Sequence, residues 1–428
     1  MKIPGWWRVR HLYNDIKLLL INRKKRESSK IFYFFQKLAD KIVVLRAQSK
    51  RVKPGINVIG YAKGDFGLAE HLRLFAQAIN KVGIKFCVNN TGEPNRHSQN
   101  NKQVENFITK KNPYLLNVFC FNGDQTITYL ESSKGIVARL KHYNIGYGYW
   151  ELSKYPSEWT KQNEYLNEYW APTMFIKKVL EKSTTLPVYH MPIPVDFEIP
   201  VGFTRKQFNL PENKFLFLFT FDMSSFTSRK NPQAAIRAFV KAFPVEKSDN
   251  VCLIIKINRI KGDPIHDQKV SELRTQVKFD SRILLIDEIL SRASILGLIN
   301  VCDAYVSLHR SEGFGLGMAE AMNMGKVVIA TNYSGNVDFM NNENSCPVNY
   351  RLVEVVEEEY CYVEKGAEWA EPDEDHAAYY MRKVYDNPEF TQKIGYEAKK
   401  YIEKHHNFKV IGENHKKRLL EILKEIKK

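Results

Sequence analysis

The chain has 428 residues, of which 44% are hydrophobic, and a formal net charge of +16. Its length exceeds what one hydrophobic core usually organises, so we expect two domains. The longest uncharged apolar runs, such as Phe215 to Phe221, are far shorter than the roughly 20 residues that span a bilayer. The run from Leu18 to Ile21 is too short for a signal-peptide core. We therefore expect a cytoplasmic protein without a transmembrane helix.

The positive charge is concentrated in an arm of residues 1–53, where fifteen Lys or Arg residues accompany three acidic ones. Apolar residues recur at helical spacing from Val9 to Leu20 and from Ile31 to Leu45, which predicts two basic amphipathic helices. Such helices bind an anionic membrane surface, pack on the protein body or contact nucleic acid. No nucleic-acid module accompanies the charge. We favour peripheral binding to the inner face of the membrane and expect no nucleic-acid partner.

From Pro54 onward, strand-like apolar runs alternate with helical stretches, which is typical of parallel sheets with crossover helices. Three prolines between Leu186 and Asp196 indicate a linker. We therefore predict an α/β protein with two Rossmann-like domains facing a central cleft, at residues 54–190 and 191–386. Helices at residues 387–428 are predicted to follow, with a length that allows them to cross back to the first domain. The predicted strands begin at Ile56, Lys85, Leu115, Tyr143, Glu168, Lys214, Val251, Arg282, Ala304 and Lys326.

The stretch from His309 to Met322, HRSEGFGLGMAEAM, places two glutamates around a glycine-rich turn between a predicted strand and a predicted helix. Ligands of open α/β sheets bind outside the carboxyl ends of the strands, where helix N-termini present free N–H groups to anions. Glycines let the backbone approach a phosphate or sugar closely. Since a carboxylate can accept two hydroxyl hydrogen bonds, Glu312 and Glu320 suit a sugar nucleotide.

This stretch resembles the glutamate pair of the retaining, nucleotide-sugar glycosyltransferases with the GT-B fold, in particular family 4 (glycosyl transferases group 1). The resemblance extends from about Pro54 to about Lys404 and excludes the arm. It implies that Glu320 holds the nucleotide ribose and that Glu312 contacts the donor sugar and the reacting centre. It also implies that Phe314, Gly315 and Leu316 offer backbone N–H groups to the sugar and the diphosphate.

A second motif, FDMSSFTSRKNP from Phe221 to Pro232, lies where a predicted strand meets a helix. Lys230 and Arg229 could neutralise the departing nucleoside diphosphate, which makes them catalytic candidates together with Glu312. Family members often have an arginine five residues before the lysine, and here Ser225 stands at that place. We therefore rank Lys230 before Arg229. The alternative is a pair of exposed charges near a helix start.

In the first half, the segment from Gly60 to Ile79 reads as a strand, a glycine turn and a helix. Gly64 and Gly67 would let this domain approach the donor diphosphate or the acceptor, and the family carries a glycine loop at this place. The spacing departs from G-x-G-x-x-G, so no NAD site is implied. A plain strand–helix turn is the alternative interpretation.

The segment from Tyr143 to Trp159 is rich in aromatic residues that could stack on a sugar. Family relatives often carry a histidine near the active site in this domain, and no residue here matches it clearly. His142, Trp150 and Glu151 are the candidates for contact with the acceptor or sugar. Aromatic strands of this kind are also common in protein cores.

Metal and cofactor motifs are weak in this sequence. Asp373 and Asp375 have the D-x-D spacing by which GT-A transferases hold a divalent cation, but they directly precede a predicted helix, where acidic caps are ordinary. No Walker A motif occurs, and the six cysteines form no C-x-x-C pair, which favours reduced core thiols. We expect no metal and no cofactor, with the nucleoside-diphosphate sugar as co-substrate.

Together these features predict a metal-independent retaining glycosyltransferase that acts at the cytosolic membrane face. The sugar would pass from a nucleoside-diphosphate donor to a hydroxyl of a lipid-linked or surface-glycan precursor in polysaccharide biosynthesis. The alternative is a non-catalytic GT-B scaffold, a binding subunit of a membrane glycosylation complex.

Overall fold

A computed structural model describes residues 53–91, 101–132, 142–247, 250–260 and 262–427. The two helices predicted for the basic arm lie outside these residues. No described helix combines the length and the apolar character that crossing a bilayer requires.

The first domain is built on six parallel strands in the order β2-β1-β3-β4-β5-β6. The strands are β1 (Lys53–Gly60), β2 (Phe86–Asn90), β3 (Tyr114–Cys120), β4 (Tyr143–Gly146), β5 (Glu168–Ala171) and β6 (Val188–His190). Its helices are α1 (Gly67–Lys81), α2 (Gly123–Glu131) and α3 (Met174–Glu181). The central strands β1 and β3 are buried over most of their length because helices cover both faces of a parallel sheet.

The second domain has another six parallel strands, in the order β12-β11-β10-β7-β8-β9. The strands are β7 (Phe215–Asp222), β8 (Val251–Asn258), β9 (Ile283–Ile286), β10 (Ala304–Ser307), β11 (Val327–Thr331) and β12 (Cys346–Val348). Its helices are α4 (Thr227–Lys230), α5 (Pro232–Ala242), α6 (Pro264–Val277), α7 (Arg292–Val301), α8 (Leu316–Asn323) and α9 (Glu374–Asp386). The predicted pair of Rossmann-like parallel-sheet domains is thus confirmed.

Strands β6 and β12 and an antiparallel ribbon after β12 were not among the predicted strands. The predicted linker contains β6, which pairs with β5 at the edge of the first sheet, where the flanking prolines Pro187 and Pro192 are tolerated. After β12 the chain forms an antiparallel ribbon of β13 (Tyr350–Glu354) and β14 (Glu368–Pro372). Several residues of β13 are exposed, so the ribbon lacks the apolar run by which the sheet strands were predicted.

The C-terminal helices α10 (Pro388–His405) and α11 (Phe408–Lys427) follow the second domain, and α11 packs against α1 of the first. Gly412 allows close contact, because a Cβ there would lie 2.3 Å from the carbonyl oxygen of Ala78. Arg418 Nη2 donates to Glu168 Oε2 at the start of β5 over 2.6 Å. Helix α11 therefore joins the end of the chain to the first domain.

Each sheet has a topological switch point, where the connections from two neighbouring strands run to opposite sides of the sheet. The loops after these two strands therefore diverge and leave a crevice between them. In the first sheet it lies between β1 and β3, and in the second between β7 and β10. Crevices at such points are the usual ligand sites of open α/β sheets. The loops after β1, β7 and β10 carry the glycine loop, the basic pair and the first glutamate of the sequence motifs.

Two buried histidines lie at the contact between α1 and α11. Burial lowers the pKa of His71 to about 3 and that of His415 to about 4. The folded state therefore keeps both rings neutral, while the unfolded chain protonates them below its ordinary pKa of about 6.5. The free energy of unfolding must decrease as the pH falls from 7 toward 4.

We expect His415→Gln to remove part of this pH dependence. Between pH 7 and pH 5 the variant should lose about 2 kcal/mol less stability than the wild type, since one neutral buried imidazole contributes about that much. Urea unfolding at the two pH values measures the difference. His405→Gln, at an exposed position, is the matched control. Equal losses in the His415 variant and the wild type would contradict the prediction.

Candidate active site

Arg229 joins the two loops that leave the second switch point. It lies on α4 after β7, and its Nη1 donates to the carbonyl oxygen of Ser311, after β10, over 2.8 Å. Its Nε donates to the carbonyl oxygen of Ser225 over 3.2 Å. The Arg229 side chain is 4% exposed. The guanidinium thus fixes both loops and places positive charge between them.

Lys230 and Glu312 form a direct ion pair at this point, and Arg229 Nη1 lies 3.4 Å from the same Glu312 oxygen. Burial opposes ionisation of Glu312, but the Lys230 and Arg229 cations outweigh it and lower its pKa to about 2. Burial also lowers the pKa of Lys230, although Glu312 opposes this shift. Glu312 is therefore a carboxylate at neutral pH, beside two cations.

The backbone at Glu312 is hydrogen-bonded to the loop after β11. The Glu312 N–H donates to Ser334 Oγ over 2.7 Å, and the Gly335 N–H donates to the Glu312 carbonyl oxygen over 2.9 Å. A Cβ at Gly335 would lie 2.3 Å from the Gly313 carbonyl oxygen, so only glycine allows this approach. Fully buried His309 lies 3.0 Å from Asn336 Oδ1 and supports the same region.

The three residues expected to offer backbone N–H groups lie at the start of α8. Gly315 is the N-cap residue with a φ of +93°, a conformation that favours glycine. The Phe314 ring is buried against Phe339, with 5.0 Å between ring centroids. Leu316 begins the helix. Because the first N–H groups of a helix lack intrahelical acceptors, this turn can receive an anion.

Glu320 lies one turn into α8 and takes part in a chain of charges that crosses between the domains. Arg292 Nη2 donates to Glu320 Oε1 over 2.5 Å, and Arg292 Nε lies 3.5 Å from Glu70 Oε1 of the first domain. Arg73 in turn donates to Glu70 Oε2 over 2.6 Å. Burial raises the pKa of Glu320, while Arg292 opposes the shift. The predicted ribose carboxylate is thus paired with an arginine at the interdomain contact.

The glycine loop of the first domain is held by Arg73, whose Nη1 donates to the Gly64 carbonyl oxygen over 2.6 Å. Gly64 is buried, and a Cβ there would meet the Phe66 ring at 2.3 Å. Gly67 is exposed at the start of α1, and a Cβ there would meet no atom within 4 Å. The structure therefore shows a steric need for glycine at position 64 and none within this fold at position 67.

Of the three residues suggested for acceptor or sugar contact, the structure brings Glu151 to the site. Its Oε1 lies 4.0 Å from Arg229 Nη2. Trp150 instead belongs to a core cluster and is 2% exposed, with its Nε1 donating to the Lys154 carbonyl oxygen. His142 is buried just before the amino end of β4, whereas the cleft lies at the carboxyl ends of the strands. Neither is placed to contact a sugar in the cleft.

Several contacts of the site escaped sequence reasoning because they join distant parts of the chain. Thr173 Oγ1 in the first domain donates to the Gly313 carbonyl oxygen over 3.1 Å, and the Tyr360 hydroxyl donates to Glu151. Glu70 and Arg73 follow the glycine loop at helical spacing, so their shared helix face was the one signal available. Tyr360 offered none.

The Asp373 carboxylate caps α9, since its Oδ1 accepts from the N–H groups of Asp375 and His376 at 3.0 Å each. Asp375 pairs with Lys241 Nζ at 2.8 Å. These two aspartates therefore have the roles of an ordinary helix N-terminus. No group of three metal-ligating side chains occurs among the residues that the structure describes.

Comparison with known proteins gives these observations a family context. Residues 201–401 match the family model described as glycosyl transferases group 1. The second domain is a group 1 glycosyl transferase domain. No curated protein matches the chain by sequence.

Solved structures match the fold of this chain at low sequence identity. Anabaena HepE in complex with UDP and glucose is 13% identical with a TM-score of 0.61, covering 86% of this chain and 100% of its own. A glycosyltransferase from Rickettsia africae ESF-5 is 15% identical with a TM-score of 0.60, covering 87% and 99%. Sucrose-phosphate synthase from Thermosynechococcus elongatus is 12% identical with a TM-score of 0.63, covering 87% and 100%. The predicted GT-B architecture is therefore confirmed.

We expect Glu312→Gln to destabilise the protein, because it leaves Arg229 and Lys230 without their nearest carboxylate. Breaking a buried ion pair from one side should cost about 3 kcal/mol in the free energy of unfolding at pH 7. In the wild type, the contribution of Glu312 is present above the unfolded pKa of about 4.3 and is lost as the pH falls toward 2. The difference between variant and wild type should shrink over that range.

Urea unfolding between pH 7 and pH 3 tests this expectation. Glu212→Gln, at an exposed position, serves as the control for removing one carboxylate. A Glu312 variant as stable at pH 7 as the Glu212 variant would show that the ion pair contributes nothing to stability.

Proposed function

We propose that this protein is a family 4 glycosyltransferase that moves a sugar from a nucleoside-diphosphate donor to a hydroxyl group. The observation that carries the proposal is the cluster of Lys230, Arg229 and Glu312 at the switch point of the second sheet. Arg229 and Lys230 lie on α4, Glu312 lies on the loop that leads to the N-terminus of α8, and Glu320 follows one turn into that helix. Cations, free helix N–H groups and a second carboxylate together match a nucleotide sugar.

In this proposal each part of the donor has its own partner. The ribose hydroxyls donate to Glu320 in exchange for Arg292, and the diphosphate lies at the start of α8. Lys230 has three N–H donors, so it can keep Glu312 and still donate to a phosphate oxygen. The Arg229 side chain is 4% exposed and its Nε and Nη1 already donate to backbone carbonyl groups, so we assign it mainly the role of a fixed positive charge. This division supports ranking Lys230 first.

The transfer step follows from this placement. The acceptor oxygen forms a bond to the anomeric carbon while the bond from that carbon to the diphosphate oxygen breaks. The electron pair of the broken bond goes to the diphosphate, which also takes the proton from the acceptor hydroxyl. Lys230 and Arg229 stabilise the negative charge that develops there, which is an electrostatic task that needs no metal. Retention at the anomeric carbon is proposed from the family resemblance.

The acceptor is proposed to be a lipid-linked or surface-glycan precursor in polysaccharide biosynthesis. The support is the basic arm of residues 1–53, whose charge and helical spacing suit an anionic membrane surface. Peripheral attachment at the cytoplasmic inner face would hold the cleft near such an acceptor.

UDP is the first nucleotide to test, since the Anabaena HepE structure contains UDP and glucose. At a concentration one hundred times its dissociation constant, the bound nucleotide should stabilise the protein by roughly 2.7 kcal/mol. We expect at least one of UDP, GDP, ADP and dTDP to give this shift. EDTA should leave the shift unchanged, and Glu320→Gln should abolish it. Thermal unfolding measures the shift, with exposed Glu389→Gln as the matched control.

Stabilisation that disappears with EDTA would overturn metal independence. Stabilisation that survives in Glu320→Gln would remove the ribose role from Glu320. Absence of an effect with all four nucleotides, and of transfer from their glucose or mannose conjugates, would favour the non-catalytic GT-B scaffold.

The membrane proposal makes a separate prediction. A protein lacking residues 1–50 should keep its nucleotide affinity, because no residue of the candidate site belongs to the arm. It should no longer sediment with vesicles containing about 30% phosphatidylserine, since most of the excess positive charge is gone. Co-sedimentation at low and high salt measures binding. Unchanged sedimentation of the truncated protein would contradict the anchor.

A further inference from the structure

The carboxylate of Glu151 is held by a hydroxyl from the other domain. Glu151 follows β4 in the first domain, and Tyr360 lies between β13 and β14 of the ribbon. The Tyr360 hydroxyl donates to Glu151 Oε2 over 2.8 Å. Tyr360 is 8% exposed, so water competes little for this hydrogen bond. One oxygen of the carboxylate therefore has a fixed position.

The other oxygen of Glu151 is not engaged in the same way. Oε1 lies 4.0 Å from Arg229 Nη2, which is too long for a hydrogen bond. No other group among the residues that the structure describes donates to it. The Glu151 side chain is 16% exposed. The carboxylate thus keeps one acceptor oxygen beside the Arg229–Glu312 group.

Residues 355–367, here called the ribbon loop, connect β13 to β14 and are docked on the first domain. Lys154 Nζ donates to the Lys365 carbonyl oxygen over 2.6 Å. The Ser157 N–H donates to Glu364 Oε1, also over 2.6 Å. These contacts join the two domains a few residues after Glu151 and Tyr360. The hydrogen bond to Glu151 therefore depends on the domains being docked.

The ribbon is also hydrogen-bonded to the loop that carries Glu312. Arg310 precedes Ser311 and Glu312, and its Nε donates to Glu371 Oε2 of β14 over 2.7 Å. Arg310 Nη1 donates to Glu359 Oε1, next to Tyr360, over 3.2 Å. The position of Tyr360 is thereby set relative to Glu312 as well as to the first domain.

We infer that Tyr360 is a positioning residue for sugar transfer, holding Glu151 so that Oε1 accepts a hydrogen bond from a hydroxyl of the sugar substrate. The inference rests on the proposed function and adds to it a residue from outside the sequence motifs. A fixed carboxylate orients the substrate at the reacting centre without a separate entropic cost at each turnover. The ring of Tyr360 packs on Phe226, with centroids 4.7 Å apart, and phenylalanine can preserve that contact.

The test compares Tyr360→Phe with the wild type in release of nucleoside diphosphate from UDP-glucose, GDP-mannose, ADP-glucose and dTDP-glucose. With the donor that the wild type turns over, we expect kcat to fall about 10- to 100-fold, as for loss of a hydrogen bond to a charged group. The dissociation constant of the nucleotide should stay within about twofold, since the ribose and diphosphate contacts are untouched. Tyr350→Phe, on the same ribbon and 40% exposed, should match the wild type.

A double-mutant cycle separates positioning from a structural role. Glu151→Gln tests the same hydrogen bond from its other end, and in that background Tyr360→Phe should lower kcat by less than about twofold. Equal effects in both backgrounds would overturn the inference, as would an unchanged kcat in Tyr360→Phe. In both cases wild-type turnover would leave the proposed function standing. A wild type that turns over none of the four donors would overturn both.

Discussion

The contact of Arg229 with the loop after β10 is the interaction on which the candidate site depends. Strands β7 and β10 are neighbours in the second sheet although a large part of the chain separates them. Arg229 donates to the Ser311 carbonyl oxygen and pairs with Glu312, so the two loops keep one relative position. This buried cation thus links the separate segments that carry Lys230 and Glu312. Its burial explains why it serves better as a fixed charge than as a mobile ligand group.

The charges of the site balance without a ligand. Two cations, Arg229 and Lys230, lie with two carboxylates, Glu312 and Glu151. A diphosphate entering this group brings negative charge, which the start of α8 can share. The site therefore combines offset side-chain charges with a helix N-terminus that can accept an anion. The placement of Glu151 by a residue of the other domain links this balance to the docking of the two domains.

Much of the fold and part of the site could be predicted from the sequence. Most strands of both sheets are apolar runs between helical segments. The segments after β7 and β10 carry Lys230 and Glu312. Local order along the chain was enough to place Lys230 and Glu312 at a sheet edge. Strands β6 and β12 were not predicted because each has only three residues, and the ribbon was not predicted because several residues of β13 are exposed. Trp150 was suggested as a contact for the acceptor or sugar, but its ring is buried in a core cluster.

The sequence by itself determined the elements that depend on local patterns: the apolar strands, the glycine turn before α8 and the presence of Glu312, Lys230 and Glu320 next to such turns. Only the tertiary structure decided which side chains meet. The links from Arg292 to Glu70 and from Tyr360 to Glu151 join different domains. No spacing along the chain encodes them, since the docking of one domain on the other places their atoms. Periodicity reports which face of an element is buried, but not which residue it faces.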